Sequence, residues 1–103
     1  MDKLRPKPTA IELIAAERQR QIEQEGWTAE HDRQWASGQL ALAAACYAIP
    51  DNRRTEIILR LWPWMLIWWK PTPDDREREL IKAAALLVAE IERLQRVKER
   101  ESK

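Results

Sequence analysis

The C-terminal third of the chain constrains the fold most, because its apolar residues recur at helical spacing. They form a seam that consists of Leu80, Ala84, Leu87, Ile91 and Leu94 and is widened by Ile81 and Val88. It is called the α5 seam here, where α5 denotes the helix that contains residues 80–94. Thr72 is predicted to cap this helix, with Pro73 at its first position and Asp75 at its third, so the helix is predicted over about 73–98. The chain has only two glycines, and its other apolar positions also follow helical spacing. The sequence therefore predicts an all-α fold.

A second helix is predicted near the N-terminus. Thr9 and Glu12 form a capping box that opens it, and Gly26 is suited to end it. Its inner stripe is predicted to consist of Ile11, Ala15, Arg18 and Ile22, with Ile14 alongside. Arg18 is the unusual member, since it places a guanidinium on an apolar face.

The middle of the chain completes a compact bundle of three to four helices. A helix rich in small residues begins at Gln34 or Ser37 and ends at Ala48, while residues 53–61 fit either a helix or a short, irregular or strand-like segment. The domain organisation expected from these elements is a flexible leader at 1–8, a single helical domain at 9–98 and a solvated tail at 99–103. The α5 seam is long enough to bind a helix of another subunit, which predicts a homo-oligomer through the C-terminal helix.

Composition excludes several classes of protein. The 103 residues include 18 basic and 17 acidic side chains, and a net charge of +1 argues against a dedicated nucleic-acid-binding protein. A single Cys46 excludes an internal disulfide framework and fits a reducing compartment. The N-terminus lacks an apolar signal region, and the most apolar stretch, 57–69, is too short to span a bilayer. We expect a cytoplasmic protein with no membrane partner.

The tryptophans are the strongest indication of function. The chain has six of them, one tyrosine and no phenylalanine; four lie in LWPWMLIWWKP and another, Trp27, lies in EGWTAEHD. A small core normally avoids Trp, because a buried indole N–H needs a partner. Indoles beside Lys, His and carboxylates favour a nucleotide ligand, since bases stack on indole rings.

The residues predicted to bind such a ligand have three roles. Stacking on the base is assigned to Trp27 and one or more of Trp64, Trp68 and Trp69; phosphate binding to Arg18, Lys70 and Arg60; and reading of ribose hydroxyls or base edges to Glu30, His31 and Asp32. This function needs no cofactor. Each residue also has a structural alternative: two or three of the tryptophans fill the core, Arg18 pairs with a buried carboxylate such as Glu90, and His31 lies at the surface.

Two other functions remain open at this level. A Mg²⁺-dependent nucleotide hydrolase would use Glu17, Asp32 and Glu90, provided that the fold brings these three carboxylates together. The chain has no EExxE metal-binding motif, no GxxxxGK[ST] and no GxSxG. A third function is protein–protein interaction, in which a Trp-rich face inhibits an enzyme, because Trp is enriched at interface hot spots.

Several sequence blocks, in this order, resemble a family of small helical proteins encoded by phages and prophages. The blocks are ERQRQIEQEGWTAEHD (17–32), SGQLALAAACYA (37–48), WPW (62–64), WWKP (68–71) and RERELIKAAALLVAEIERL (76–94). This family is loosely similar to MazG-like pyrophosphohydrolases. EGWTAEHD and ALLVAEIERL also resemble the RyR domain, for which nucleotide binding is proposed. The resemblance implies a phage accessory protein that acts in the cytoplasm of a bacterial host cell and sequesters a nucleotide signal of host immunity. For the interaction alternative, it implies that the inhibited enzyme belongs to the host.

Overall fold

The computed structural model describes residues 6–102, in which all regular structure is helical. The α-helices are α1 (Ala10–Gln24), α2 (Ala29–Asp32), α3 (Gln39–Ala48), α4 (Thr55–Leu61) and α5 (Arg76–Glu101), with 3-10 turns at Asp51–Arg53 and Leu66–Trp68. The predicted all-α bundle is confirmed, and segment 53–61 is mostly helix α4 rather than a strand. No helix in the described part of the chain combines the length and apolar character that crossing a membrane requires.

Local capping signals set most helix starts. The Thr9 hydroxyl and Glu12 carboxylate form the predicted capping box, and the Thr28 hydroxyl accepts a hydrogen bond from the amide of His31 at the start of α2. The prediction that Thr72 caps α5 is wrong. Residues 72–75 form a turn, and the carboxylate of Asp75 caps the helix by accepting from the amide of Arg78.

The chain ends differ from the predicted boundaries. Helix α5 continues to Glu101, so most of the expected solvated tail is helical. Residues 6–9 precede α1 without regular structure. The rest of the predicted leader, residues 1–5, and the last residue, 103, lie outside the described residues.

Helix α5 is the centre of the bundle and packs against α3 and α1. The core cluster consists of Leu40, Ala43, Ala44, Tyr47, Ala83, Leu86 and Ala89. Alanines on both helices allow α3 and α5 to approach closely, and tryptophan rings close the edge of this thin core. The α5 seam is not the packed face of the helix. Its large members, Leu80, Leu87, Ile91 and Leu94, are 46–55% exposed.

The inner face of α1 is polar, which corrects the predicted apolar stripe. Ile11 is 78% exposed, whereas Glu17, Arg18 and Gln21 are 2–6% exposed. This inversion occurs because α1 contacts α5 through ion pairs. Glu17 pairs with Arg78 at 2.7 Å, and Arg18 pairs with Glu92 at 3.1 Å. Buried charges that are paired in this way are tolerated in a core.

Candidate functional site

Seven aromatic rings form one continuous cluster beside the core. Trp27 and His31 stack almost in parallel, with centroids 6.1 Å apart, and Trp64 lies 5.3 Å from Trp35 and 5.4 Å from Trp62. The cluster then continues through Trp62 to Tyr47 and Trp69. A chain without phenylalanine thus uses its indoles both as packing groups and as flat surfaces.

One side of this cluster opens into a cavity of about 650 Å³. The aromatic part of its lining consists of Trp27, His31, Trp35, Tyr47, Trp64 and Trp68. The remaining lining residues are Glu17, Arg20, Gln21, Glu25, Pro63, Met65, Lys70, Lys82 and Leu86. Helices α1 and α5, the turn around α2 and the segment 63–70 therefore all contribute. The volume lies within the range of small-molecule sites, roughly 300–1,000 Å³.

Three buried polar atoms of the lining have no hydrogen-bond partner within residues 6–102. They are the indole Nε1 of Trp35, the indole Nε1 of Trp64 and the amide Oε1 of Gln21. Gln21 is only 2% exposed, and its Nε2 donates to Glu17 while its oxygen has no donor. Buried polar groups are normally paired, because an unmade hydrogen bond costs about 1–3 kcal/mol. All three atoms belong to side chains of the cavity lining, so two donors and one acceptor of these side chains lack a hydrogen bond.

The charged residues of the lining include both paired and available groups. Arg20 donates to Glu17 at 2.9 Å and to Glu25 at 3.0 Å, so these two carboxylates are already neutralised. Lys82 donates to the carbonyl of Lys70 at 3.1 Å, and burial lowers the pKa of its ammonium. The Lys70 ammonium lies 5.8 Å from the ring centroid of Trp68. The two lysines give the cavity a cationic side that could receive an anion.

The cavity brings together five of the ten residues predicted to bind a ligand. Trp27, His31, Trp64, Trp68 and Lys70 line it. Their role in binding stays a prediction, but their proximity is now a structural fact. The turn after α1 and the Trp segment (LWPWMLIWWKP, residues 61–71) are about 35 residues apart in sequence, and both contribute to this one site.

The other five predicted residues lie outside the cavity lining. Arg18 donates to Asp32 and Glu92, both at 3.1 Å, and to the carbonyl of Trp27 at 3.2 Å. Asp32 is fully buried against that guanidinium, and Glu30 is exposed. Trp69 packs against Tyr47 and under the guanidinium of Arg54. Arg60, on α4, is exposed and does not line the cavity either.

Arg18 and Asp32 hold the turn that carries the cavity rings. The guanidinium fixes the backbone of Trp27, and the other carboxylate oxygen of Asp32 lies 3.0 Å from Nδ1 of His31. That contact sets the orientation of the imidazole, which in turn stacks on Trp27. Arg18 therefore positions the site rather than lining it.

A second buried network holds the other wall of the cavity. Glu79 is fully buried and accepts from Arg54 at 2.6 Å, from Arg76 at 3.2 Å and from the backbone amide of Thr72 at 2.9 Å. Arg54 and Arg76 also donate to carbonyls at the end of α3. Glu79 thus ties the end of the Trp segment to three helices, and the Tyr47 hydroxyl accepts from the amide of Lys70 nearby.

The three carboxylates of the hydrolase alternative do not converge. Glu17 pairs with Arg20 and Arg78, Asp32 with Arg18, and Glu90 with Arg93. No group of three or more His, Cys, Asp or Glu side chains within residues 6–102 is placed to hold a metal ion.

Sequence reasoning missed several residues of the lining, above all Trp35, Gln21, Arg20 and Lys82. Two periodicities could have found some of them. Trp27, His31 and Trp35 are spaced by four, as are Glu17, Gln21 and Glu25, and all six line the cavity. Residues four apart lie on one face of a helical turn. Nothing in the sequence singles out Lys82.

Acid should weaken the fold through Glu17 and Glu79. Burial alone would raise the pKa of each carboxyl, but hydrogen bonds from arginines outweigh it, so both pKa values lie below the ordinary range. The resulting stabilisation is complete above the unfolded-state pKa of about 4.3 and is lost as pH falls through the folded-state values. Urea unfolding should give a constant free energy from neutral pH to about pH 5 and a decline below it. A Glu17→Gln variant should show a smaller decline; an equal decline would contradict this assignment.

Comparison with known proteins gives no relative for this site. The blocks that resemble small phage proteins, and the turn that resembles the RyR domain, stay predictions from the sequence. No protein-family model, curated protein or solved structure matches the chain.

Proposed function

We propose that this protein binds a nucleotide-type small molecule in the aromatic cavity. The observation that carries the proposal is the set of unpartnered atoms in the lining: the indole N–H groups of Trp35 and Trp64 and the amide oxygen of Gln21. An apolar site with a few convergent polar groups is the usual form of a small-molecule pocket. A ligand that satisfies these atoms recovers the hydrogen bonds that the protein leaves unmade.

The chemistry of the lining favours a flat, anionic ligand. Rings of Trp27, Trp64 and Trp68 offer stacking surfaces for a base, each worth about 1–3 kcal/mol. The oxygen of Gln21 can accept from an exocyclic amine. Lys70 and Lys82 supply positive charge for a phosphate.

The proposed activity is sequestration rather than turnover. The two carboxylates of the lining, Glu17 and Glu25, are both held by Arg20 and are engaged in ion pairs instead of facing a substrate alone. Together with the resemblance to small phage proteins, this supports an accessory protein that withholds a nucleotide signal of host immunity. The hydrolase function is the alternative outcome of the experiment below.

Thermal unfolding with a ligand panel tests the proposal. The protein is melted with AMP, ADP-ribose, cyclic di-AMP and cyclic GMP-AMP, with and without Mg²⁺, and the ligands are then recovered by chromatography. A ligand at 100 times its dissociation constant adds about 2.7 kcal/mol of stability. A shift with intact ligand supports sequestration. Mg²⁺-dependent conversion of the ligand supports the hydrolase, and no shift with any member of the panel contradicts nucleotide binding.

Replacing Trp35 with Phe should lower the affinity for the tightest-binding ligand of that panel by about 3- to 10-fold, because one buried hydrogen bond is lost while an aromatic ring remains. The matched control is Trp69→Phe, which changes a ring of the same aromatic cluster that does not line the cavity. Titration calorimetry should leave the control within about 2-fold of the unmodified protein. Equal losses in the two variants would contradict the assigned role of Trp35.

A second candidate function, protein–protein interaction, rests on the segment 65–68. Met65, Leu66, Ile67 and Trp68 are consecutive and 55–72% exposed, and such runs of exposed apolar residues normally mark a binding surface. If this is the function, the protein should form a complex with another protein, and Ile67→Lys should abolish that complex. Nucleotides should then leave the melting temperature unchanged. Ile67 is 72% exposed and does not line the cavity, so its replacement separates the two functions.

A further inference from the structure

The exposed face of α5 has the spacing of a helix-pairing seam. Leu80, Ala84, Leu87, Ile91 and Leu94 follow one another at intervals of four and three residues. This is the repeat by which two helices pack side by side. The seam runs for about 21 Å along the helix, since each residue rises about 1.5 Å. Within residues 6–102, its leucines and isoleucine stay 46–55% exposed.

The molecule is elongated and thin in one direction. The described chain measures 50 × 37 × 20 Å, and 20 Å is only about two helix diameters. Its radius of gyration is 15.2 Å, whereas a compact domain of this length has about 13 Å. Helix α5 packs on α1 and α3, and the large apolar residues of the α5 seam stay about half exposed.

Two charges at the ends of the seam indicate which molecule that is. Glu77 and Lys98 continue the seven-residue line of Ala84 and Ile91, one at each end. Both are exposed, and neither forms an ion pair in the described part of the chain. A second copy in antiparallel orientation brings the Glu77 end of one helix to the Lys98 end of the other. A parallel copy would place like charges together at both ends.

We propose that the protein forms a two-fold dimer in which the two α5 helices pack antiparallel along the α5 seam. An antiparallel pair about a two-fold axis uses the same surface twice, so each Glu77–Lys98 contact occurs twice. None of the seam residues lines the aromatic cavity. The dimer and the ligand site can therefore be tested independently of each other.

Sedimentation equilibrium over a range of protein concentrations tests the association. The unmodified protein should dimerise, and Leu87→Glu should weaken the dimer by about 100-fold or more, because two carboxylates would be buried at its centre. The control is Leu59→Glu on α4, which changes a leucine that is 71% exposed and outside the seam. Circular dichroism checks that both variants fold. A monomer at every concentration, or equal effects of the two substitutions, would overturn the dimer.

Disulfide trapping tests the orientation. Glu77→Cys and Lys98→Cys proteins are oxidised separately and as a mixture; the native Cys46 is buried and does not interfere. Antiparallel packing predicts a disulfide between the two different variants in the mixture and little cross-linking of either alone. Cross-linking of Glu77→Cys to itself would overturn the antiparallel arrangement.

Discussion

Replacing Arg18 with Met should lower the free energy of unfolding by about 3–5 kcal/mol. Asp32 is fully buried, and the Arg18 guanidinium at 3.1 Å is its cationic partner. Removal of that guanidinium leaves a buried carboxylate with only a histidine contact, and it also removes the hydrogen bond to the carbonyl of Trp27. Methionine keeps most of the length and the apolar stem, so the loss reports the charge rather than the packing.

Urea denaturation and a double-mutant cycle check this prediction. Asp32→Asn should lower the free energy of unfolding much less in the Arg18→Met background than in the unmodified protein. In that background the guanidinium that pairs with Asp32 is already absent, so no ion pair remains to be lost. Arg60→Met is the control, since Arg60 is exposed and without a charged partner in the described chain, and it should stay within about 0.5 kcal/mol. Additive losses in the cycle would show that Arg18 and Asp32 do not act as a pair.

Replacing Glu79 with Ala should also cost about 3–5 kcal/mol, because it leaves a buried guanidinium without its carboxylate. Arg54 is 3% exposed and loses its 2.6 Å partner, and the amide of Thr72 loses its acceptor. The packing of the Trp segment should also become looser in the Glu79→Ala variant. Near-ultraviolet circular dichroism, which reports the packing of the indole rings, should weaken along with the stability.

Glu99→Ala is the matched control for Glu79, because it removes an exposed carboxylate from the same helix. It should change the free energy of unfolding by no more than about 0.5 kcal/mol. A loss of less than about 1 kcal/mol for Glu79→Ala would contradict the role of the buried network in holding the cavity wall.

Local signals were sufficient to predict the start of α1. The capping box at Thr9 and Glu12 depends on neighbouring residues alone, and the structure confirms it. The start of α5 was misplaced because Thr72 and Asp75 are both good caps, and the choice depends on Glu79, which binds the amide of Thr72. That contact belongs to the tertiary structure.

The composition of the site was only partly predictable, because helix periodicity does not say which face packs. On α1, Ile11 is exposed while Glu17 and Gln21 are buried, since arginines of other elements compensate the polar face. On α5, the more apolar face is the exposed one. The sequence showed a guanidinium on the inner face at Arg18, but its carboxylate partner, Asp32, is fixed only by the folding of the turn around α2.

A fluorescence titration tests nucleotide binding in the aromatic cavity most directly. Tryptophans at positions 27, 35, 64 and 68 line the cavity, so a base that stacks there should quench the intrinsic emission. Titration with ADP-ribose, cyclic di-AMP and AMP should give saturable quenching by at least one of them, with one ligand per cavity, and the quenching should weaken in Trp35→Phe. Emission that never saturates with any of these nucleotides would contradict the proposed function.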